Sequence, residues 1–212
     1  MNKMIIRDVL EEDISSIKAM IDETWDWASL VENKDVLNAA IGLYLNQVLY
    51  NSSFGKVAVL DNKIVGTIFG WAEGEIPKYR MLQEDGTELA LLMLNAKENE
   101  RKDVYECMSK LNAAYDKLLS GKEETYDGTL VFFVVSEDTR GYGVGKTLWN
   151  ELGVYFREKN VDSIYVYTDT DCNYGFYEHS GFERKGERDL TCCFQEGEWK
   201  VKVFLYDYQI KT

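Results

Sequence analysis

Seven residues, Arg140 to Lys146 (RGYGVGK), concentrate three glycines and two cations between an apolar run, TLVFFVVS, and an amphipathic one, TLWNELGVYFREK. A strand, a glycine-rich turn and a helix in that order form an anion site, because the unpaired backbone N–H groups of the helix start converge on the turn. Glycine suits such a turn since a bulkier side chain would block close approach to the backbone. Three patterns compete for this stretch. The P-loop pattern G-x-x-x-x-G-K-[ST] finds its end in Gly145, Lys146 and Thr147, but Arg140 stands at its first glycine. The dinucleotide pattern G-x-G-x-x-G starts on Gly141 and Gly143 and meets Lys146 at its third glycine, in a turn that opens no βαβ unit. The pattern [RQ]-x-x-G-x-[GA] is matched in full by Arg140, Gly143 and Gly145.

The elements around this turn follow from periodicity. Ile5 and Ile6 predict a short strand, and Ile14, Ile17, Met20 and Ile21 recur at helical spacing behind an acidic first turn. A second helix is expected over 34–50, with Leu37, Ile41, Leu45 and Val48 or Leu49 on one face. KVAVLDNKIVGTIFGWAEG reads as two strands flanking a tight turn at Asp61, Asn62 and Lys63. Two helical stretches fill 76–126, and TLVFFVVS, apolar throughout, is expected to be central and buried on both faces. After the helix carrying Leu148, Leu152, Tyr155 and Phe156 come the strand SIYVYT, a short helix closed by Gly181, and two long strands joined around Gly197.

With 212 residues and 45% hydrophobic content, one domain over 1–212 is expected. The net charge of -13 argues against nucleic acid or an anionic membrane as partner, since both bind through excess Lys and Arg. No run reaches the ~20 apolar residues of a membrane span, and the acidic start argues against a secretory leader, so a cytoplasmic location is expected. His179 is the only histidine, and Cys107, Cys172, Cys192 and Cys193 form no C-x-x-C pair. Neither a metal site nor a disulfide framework is therefore expected, and Cys192 and Cys193 should be one buried and one exposed thiol.

Past the glycine turn, NYGFYEHSGF sets Asn173, Phe176, Tyr177, Glu178, Gly181 and Phe182 in an order that, with the full [RQ]-x-x-G-x-[GA] match, resembles the GNAT acetyltransferases. The resemblance is strong over 129–182 and weaker over the opening elements; the helices of 76–126 match nothing in it. It implies an α/β (α+β) fold, a mixed, mostly antiparallel central sheet flanked by helices, to which the helical stretches of 76–126 add an insertion before the central strand. It implies an N-acetyltransferase with acetyl-CoA as co-substrate and no metal, acting on a primary amine of a small molecule or peptide. A non-catalytic acyl-CoA-binding sensor or interaction module on the same fold is the alternative, and a homodimer is compatible with either.

Carried onto this chain, the resemblance implies that Arg140, Gly141, Tyr142, Gly143, Val144, Gly145 and Lys146 cradle the cofactor's pyrophosphate. Phe133, Val134 and Val135 would pair with its pantetheine arm, Asn173 would bind the arm from the other side, and Tyr177 would be the general acid. A phenol of ordinary pKa stays protonated at neutral pH yet lies near enough to a thiol to donate to a departing thiolate. The attacking amine must also lose a proton. Glu73, Glu75 and Asp127 border strand ends and read more simply as surface carboxylates, His179 should point away from Tyr177, and VFFVV holds no carboxylate, so the base stays unassigned.

Overall fold

The structure, a computed structural model, describes residues 4–139 and 141–210. Its strands are β1 (Ile5–Asp8), β2 (Phe54–Leu60), β3 (Lys63–Ala72), β4 (Gly128–Val135), β5 (Ser163–Asp169), β6 (Glu183–Cys193) and β7 (Glu198–Gln209). They form one sheet in the order β1-β2-β3-β4-β5-β7-β6. Every pair is antiparallel except β4 with β5. The β2–β3 hairpin closes through Asp61 and Asn62 at φ 51° and 62°, two successive left-handed residues that match the right-handed twist of the flanking strands.

Helices cover both faces. On one side α1 (Ile14–Trp25) and α2 (Lys34–Tyr50) lay Ile17, Ile21, Leu45 and Leu49 against Val57, Phe69 and Phe132. The same face continues over β5, β7 and β6 under α4 (Glu98–Leu119), which packs Ala114 and Leu118 on Leu190, Val203 and Leu205. The expected helices of 76–126 are thus α3 (Gly86–Asn95), which rests on α2 through Leu89 and Met93, and α4, which roofs half of the sheet. On the opposite face α5 (Val144–Glu158) buries Val144, Leu148, Leu152 and Phe156 against Ala58, Ile68 and Leu130, beside the short α6 (Gly175–His179).

Two expectations need correction. β4 is central but not buried on both sides, because Thr129, Val131, Phe133 and Val135 alternate as half-buried positions. The reason is local. β3 pairs Phe69 with Phe132 and Gly70 with Leu130, which leaves Val131 as the extra residue of a bulge. A bulge bends its strand and increases twist. Pairing of β4 with β5 accordingly lasts only from Gly128–Ile164 to Leu130–Val166, and beyond it the strands part. The second correction concerns cysteine: Cys107 of α4 is bonded to Cys192 of β6, so the thiol expected to be buried and free is bridged, while Cys193 is exposed as expected. Two cysteines 85 residues apart meet only because α4 lies across β6, which sequence spacing does not reveal.

Gly128 sets the entry of β4, since a Cβ there would sit 2.8 Å from the Trp71 carbonyl oxygen, backbone that cannot yield. Gly128→Ala is expected to lower stability by about 1–3 kcal/mol, the usual cost of overpacking. A shift in the urea midpoint at unchanged slope would measure it, and an unchanged midpoint would contradict the close approach.

Candidate active site

Where β4 and β5 part they leave a wedge in the sheet. Phe133, Val134 and Val135 lie on its β4 side past the last pairing with β5, so hydrogen-bonding groups that a neighbouring strand would take face the gap. One end of the wedge is the N-terminus of α5. Gly143 caps this helix in the left-handed region (φ 75°) and Gly141 is left-handed too (φ 87°), conformations that only glycine adopts without cost. A Cβ at either would meet no atom within 4 Å, so the turn is open on its outer side. The first helical bond runs from the Thr147 N–H to the Gly143 carbonyl, which leaves the N–H groups of Val144, Gly145 and Lys146 directed beyond the helix end.

The other cradle residues divide by exposure. Tyr142 and Lys146 are exposed, the Tyr142 N–H donates to the Thr139 carbonyl, and the Val144 side chain is buried under the sheet so that only its backbone is available. Arg140 lies outside the described residues.

The C-terminal end of β5 forms the far wall. Asn173 is exposed; its carbonyl accepts from the Phe176 N–H, and no side-chain cap starts α6, so its amide is not spent on capping. Phe176 meets Phe133 across the wedge, ring centroids 5.3 Å apart. Tyr177 is 5% exposed, with its ring against Phe182 and Tyr206, and Gly181 closes the helix at φ 88° while the Phe182 N–H donates to the Tyr177 carbonyl. Burial, with the nearby Cys172 and Asp169 adding to it, pushes the Tyr177 phenol well above its ordinary pKa, so it stays protonated through the alkaline range.

The structure brings to this place residues that the sequence reading left out. Asp169, the last residue of β5, is 3% exposed. Its Oδ1 accepts from the N–H groups of Asp171 (2.9 Å) and Cys172 (3.1 Å), and its Oδ2 from the Trp25 indole (2.9 Å). Tyr44 of α2 and Tyr115 of α4 also lie within its field: burial raises both phenols, and Asp169 raises them further. A carboxylate ending a strand of Ile, Val and Tyr was the available signal, but the rings that surround it come from four separate elements.

The carboxylates weighed as bases are elsewhere. Glu75 is paired with Lys159 at 2.7 Å, and Asp127 accepts from the Asp162 and Ser163 N–H groups, at the end of the sheet where β3 finishes and β4 begins. Glu73 donates its N–H to the Asp127 carbonyl at that same end. His179 is exposed, with Nδ1 2.5 Å from the Gly175 carbonyl oxygen of its own helix. Among the described residues no group of three or more His, Cys, Asp or Glu side chains could hold a metal, and no helix is long and apolar enough to cross a membrane.

Comparison with known proteins agrees with this geometry. Solved structures of similar fold include an N-acetyltransferase from Staphylococcus aureus Mu50 (11% identity, 99% of each chain covered, TM-score 0.52). A ribosomal-protein-alanine N-acetyltransferase from Brucella melitensis is similar at 16% identity over 97% of this chain and 99% of that one, TM-score 0.52. A third is yncA from Salmonella typhimurium, solved with its cofactor acetyl-CoA (12% identity, 98% and 94% covered, TM-score 0.51). At such identities these establish the fold alone, and no curated protein matches the chain. The model of the acetyltransferase (GNAT) family matches residues 17–182, which include the glycine turn, both walls of the wedge and Tyr177: the chain belongs to the GNAT acetyltransferases and is an acyltransferase that uses acetyl-CoA as co-substrate.

Proposed function

We propose that this protein transfers the acetyl group of acetyl-CoA to a primary amine by direct attack, with no covalent acyl-enzyme. The observation that carries the reading is the wedge itself, open between β4 and β5, with the bare N-terminus of α5 on its β4 side and the buried Tyr177 of α6 on its β5 side. Open space outside Gly141 and Gly143 suits a pyrophosphate, which the N–H groups of Val144, Gly145 and Lys146 and the positive end of the helix dipole would hold. The cations Arg140 and Lys146 add charge from the same turn.

A pantetheine arm, whose amides are spaced like a strand, would pair with the unpartnered edge of β4 at Phe133–Val135, as a peptide adds to a sheet edge. Asn173 would bind it from the β5 side. Acetyl-CoA itself supplies the activated thioester; Tyr177 would give the departing sulfur its proton.

The acceptor would enter from the face carrying α1, α2 and α4. That places α4 as a wall of the acceptor side rather than a detachable lid, since it also buries Leu190, Val203 and Leu205. One solved structure of similar fold is named for ribosomal-protein-alanine acetylation, so peptides with a free N-terminus belong in any test.

The test is thiol release from acetyl-CoA, followed over a panel of an amino acid, a polyamine, an aminoglycoside and short peptides with free N-termini. At least one amine is expected to raise release well above the slow hydrolytic background and to gain an acetyl mass. Tight acetyl-CoA binding with no release for any amine would leave a non-catalytic acyl-CoA sensor.

A further inference from the structure

Buried carboxylates are normally ion-paired, because an uncompensated charge away from water is costly. Asp169 is buried, yet among the described residues no ion pair reaches it. Its three hydrogen bonds, from two backbone amides and one indole, use three of about four lone-pair positions and leave capacity on Oδ2. On one side its backbone pairs with Val203 of β7; on the other, β4 stopped pairing at Val166, three residues earlier, so Asp169 borders the wedge.

The titratable groups near it are Tyr44 from α2, Tyr115 from α4, Asp171 and Cys172 from the following turn, and Tyr177 from α6, while α1 and β7 meet it through Trp25 and Val203. None of these is a cation.

Resting on the amine reading above, we propose that Asp169 is the proton acceptor for the attacking amine, on the same β5 side of the wedge as Tyr177. The ammonium form of the acceptor would supply the missing counter-charge, directly or through one water, and give a proton to Asp169. The freed nitrogen lone pair forms the C–N bond at the thioester carbon, and the C–S electron pair leaves with sulfur, which takes the Tyr177 proton. The second nitrogen proton restores the phenol, and Asp169 releases its own to solvent, so one ammonium and one thioester yield one amide, one thiol and one proton.

The pH behaviour follows with its sign. Burial pushes the Asp169 carboxyl above the usual range, the Trp25, Asp171 and Cys172 hydrogen bonds pull it partly back, and the Asp171 charge opposes them. A base must be deprotonated, so kcat should fall as pH drops through this raised value. With the most reactive amine of the panel at saturation, Asp169→Asn is expected to lower kcat by about 10²- to 10⁴-fold and to erase the acid limb. The substitution sets an amide against the Trp25 N–H or the two backbone donors and so can harm folding, and Trp25→Phe provides the independent reading. It removes a hydrogen bond that favours the carboxylate while keeping a ring, so the acid limb should move to higher pH with acetyl-CoA affinity unchanged.

A parental rate and limb in a folded Asp169→Asn protein, or an unmoved limb in Trp25→Phe, overturns the assignment while the amine reading stands. Failure of the parent to acetylate any amine overturns both.

Discussion

Replacing Tyr177 by phenylalanine should slow acetyl transfer by about 10²- to 10⁴-fold in kcat, the contribution of one positioned proton donor. The ring contacts with Phe182 and Tyr206 would persist, so folding and acetyl-CoA affinity should stay near parental. The loss belongs in kcat, because the phenol's interaction strengthens only as negative charge develops on sulfur. Burial raises the phenol's pKa, so the parent should show no alkaline loss from Tyr177 below about pH 10, the ordinary tyrosine value. Single-turnover rates, where chemistry limits, are the measurement. A Phe variant as fast as the parent there would remove Tyr177 from the mechanism and leave water as the donor.

The second large effect is expected on cofactor binding. Gly143→Val places a branched side chain at φ 75° whose Cβ meets no atom within 4 Å. Its cost to folding is the left-handed backbone, about 1–2 kcal/mol for a non-glycine residue. Outside, it stands where a pyrophosphate must approach the α5 N-terminus. Losing one charge-assisted hydrogen bond, about 1.5–3 kcal/mol, predicts an acetyl-CoA affinity weaker by about 10- to 100-fold. Gly121 provides the control, since it is also left-handed (φ 78°) with open space but lies in the turn after α4. Gly121→Val should show similar strain and bind acetyl-CoA like the parent. Calorimetric titration of both decides; equal affinities would place the phosphates elsewhere.

The two predictions draw on different amounts of sequence information. The glycine turn was legible because its proposed role is a backbone property: glycines at fixed spacing before an amphipathic helix determine which N–H groups are free, wherever the helix later packs. Tyr177 was legible only through its motif. As one of 14 tyrosines it has no local mark, and its burial against Tyr206 depends on a strand that begins 21 residues after it. Asp169 has no local mark, since the Trp25 indole that holds it comes from 144 residues earlier.

By itself, then, the sequence determined the order of strands and helices, a hairpin turn within Asp61 to Lys63, a glycine turn ahead of a helix and the family pattern over 129–182. Each depends on side-chain periodicity or turn chemistry within a few residues. The tertiary structure decided the opening of the wedge, because the bulge at Val131 exists only relative to its pairing with β3. It also decided the bond between Cys107 and Cys192, made where α4 crosses β6. The gathering of Trp25, Tyr44, Tyr115, Asp169 and Tyr177 is its work as well: each comes from a different element, and such non-local contacts arise only when packed layers bring distant segments together, for which no local pattern codes.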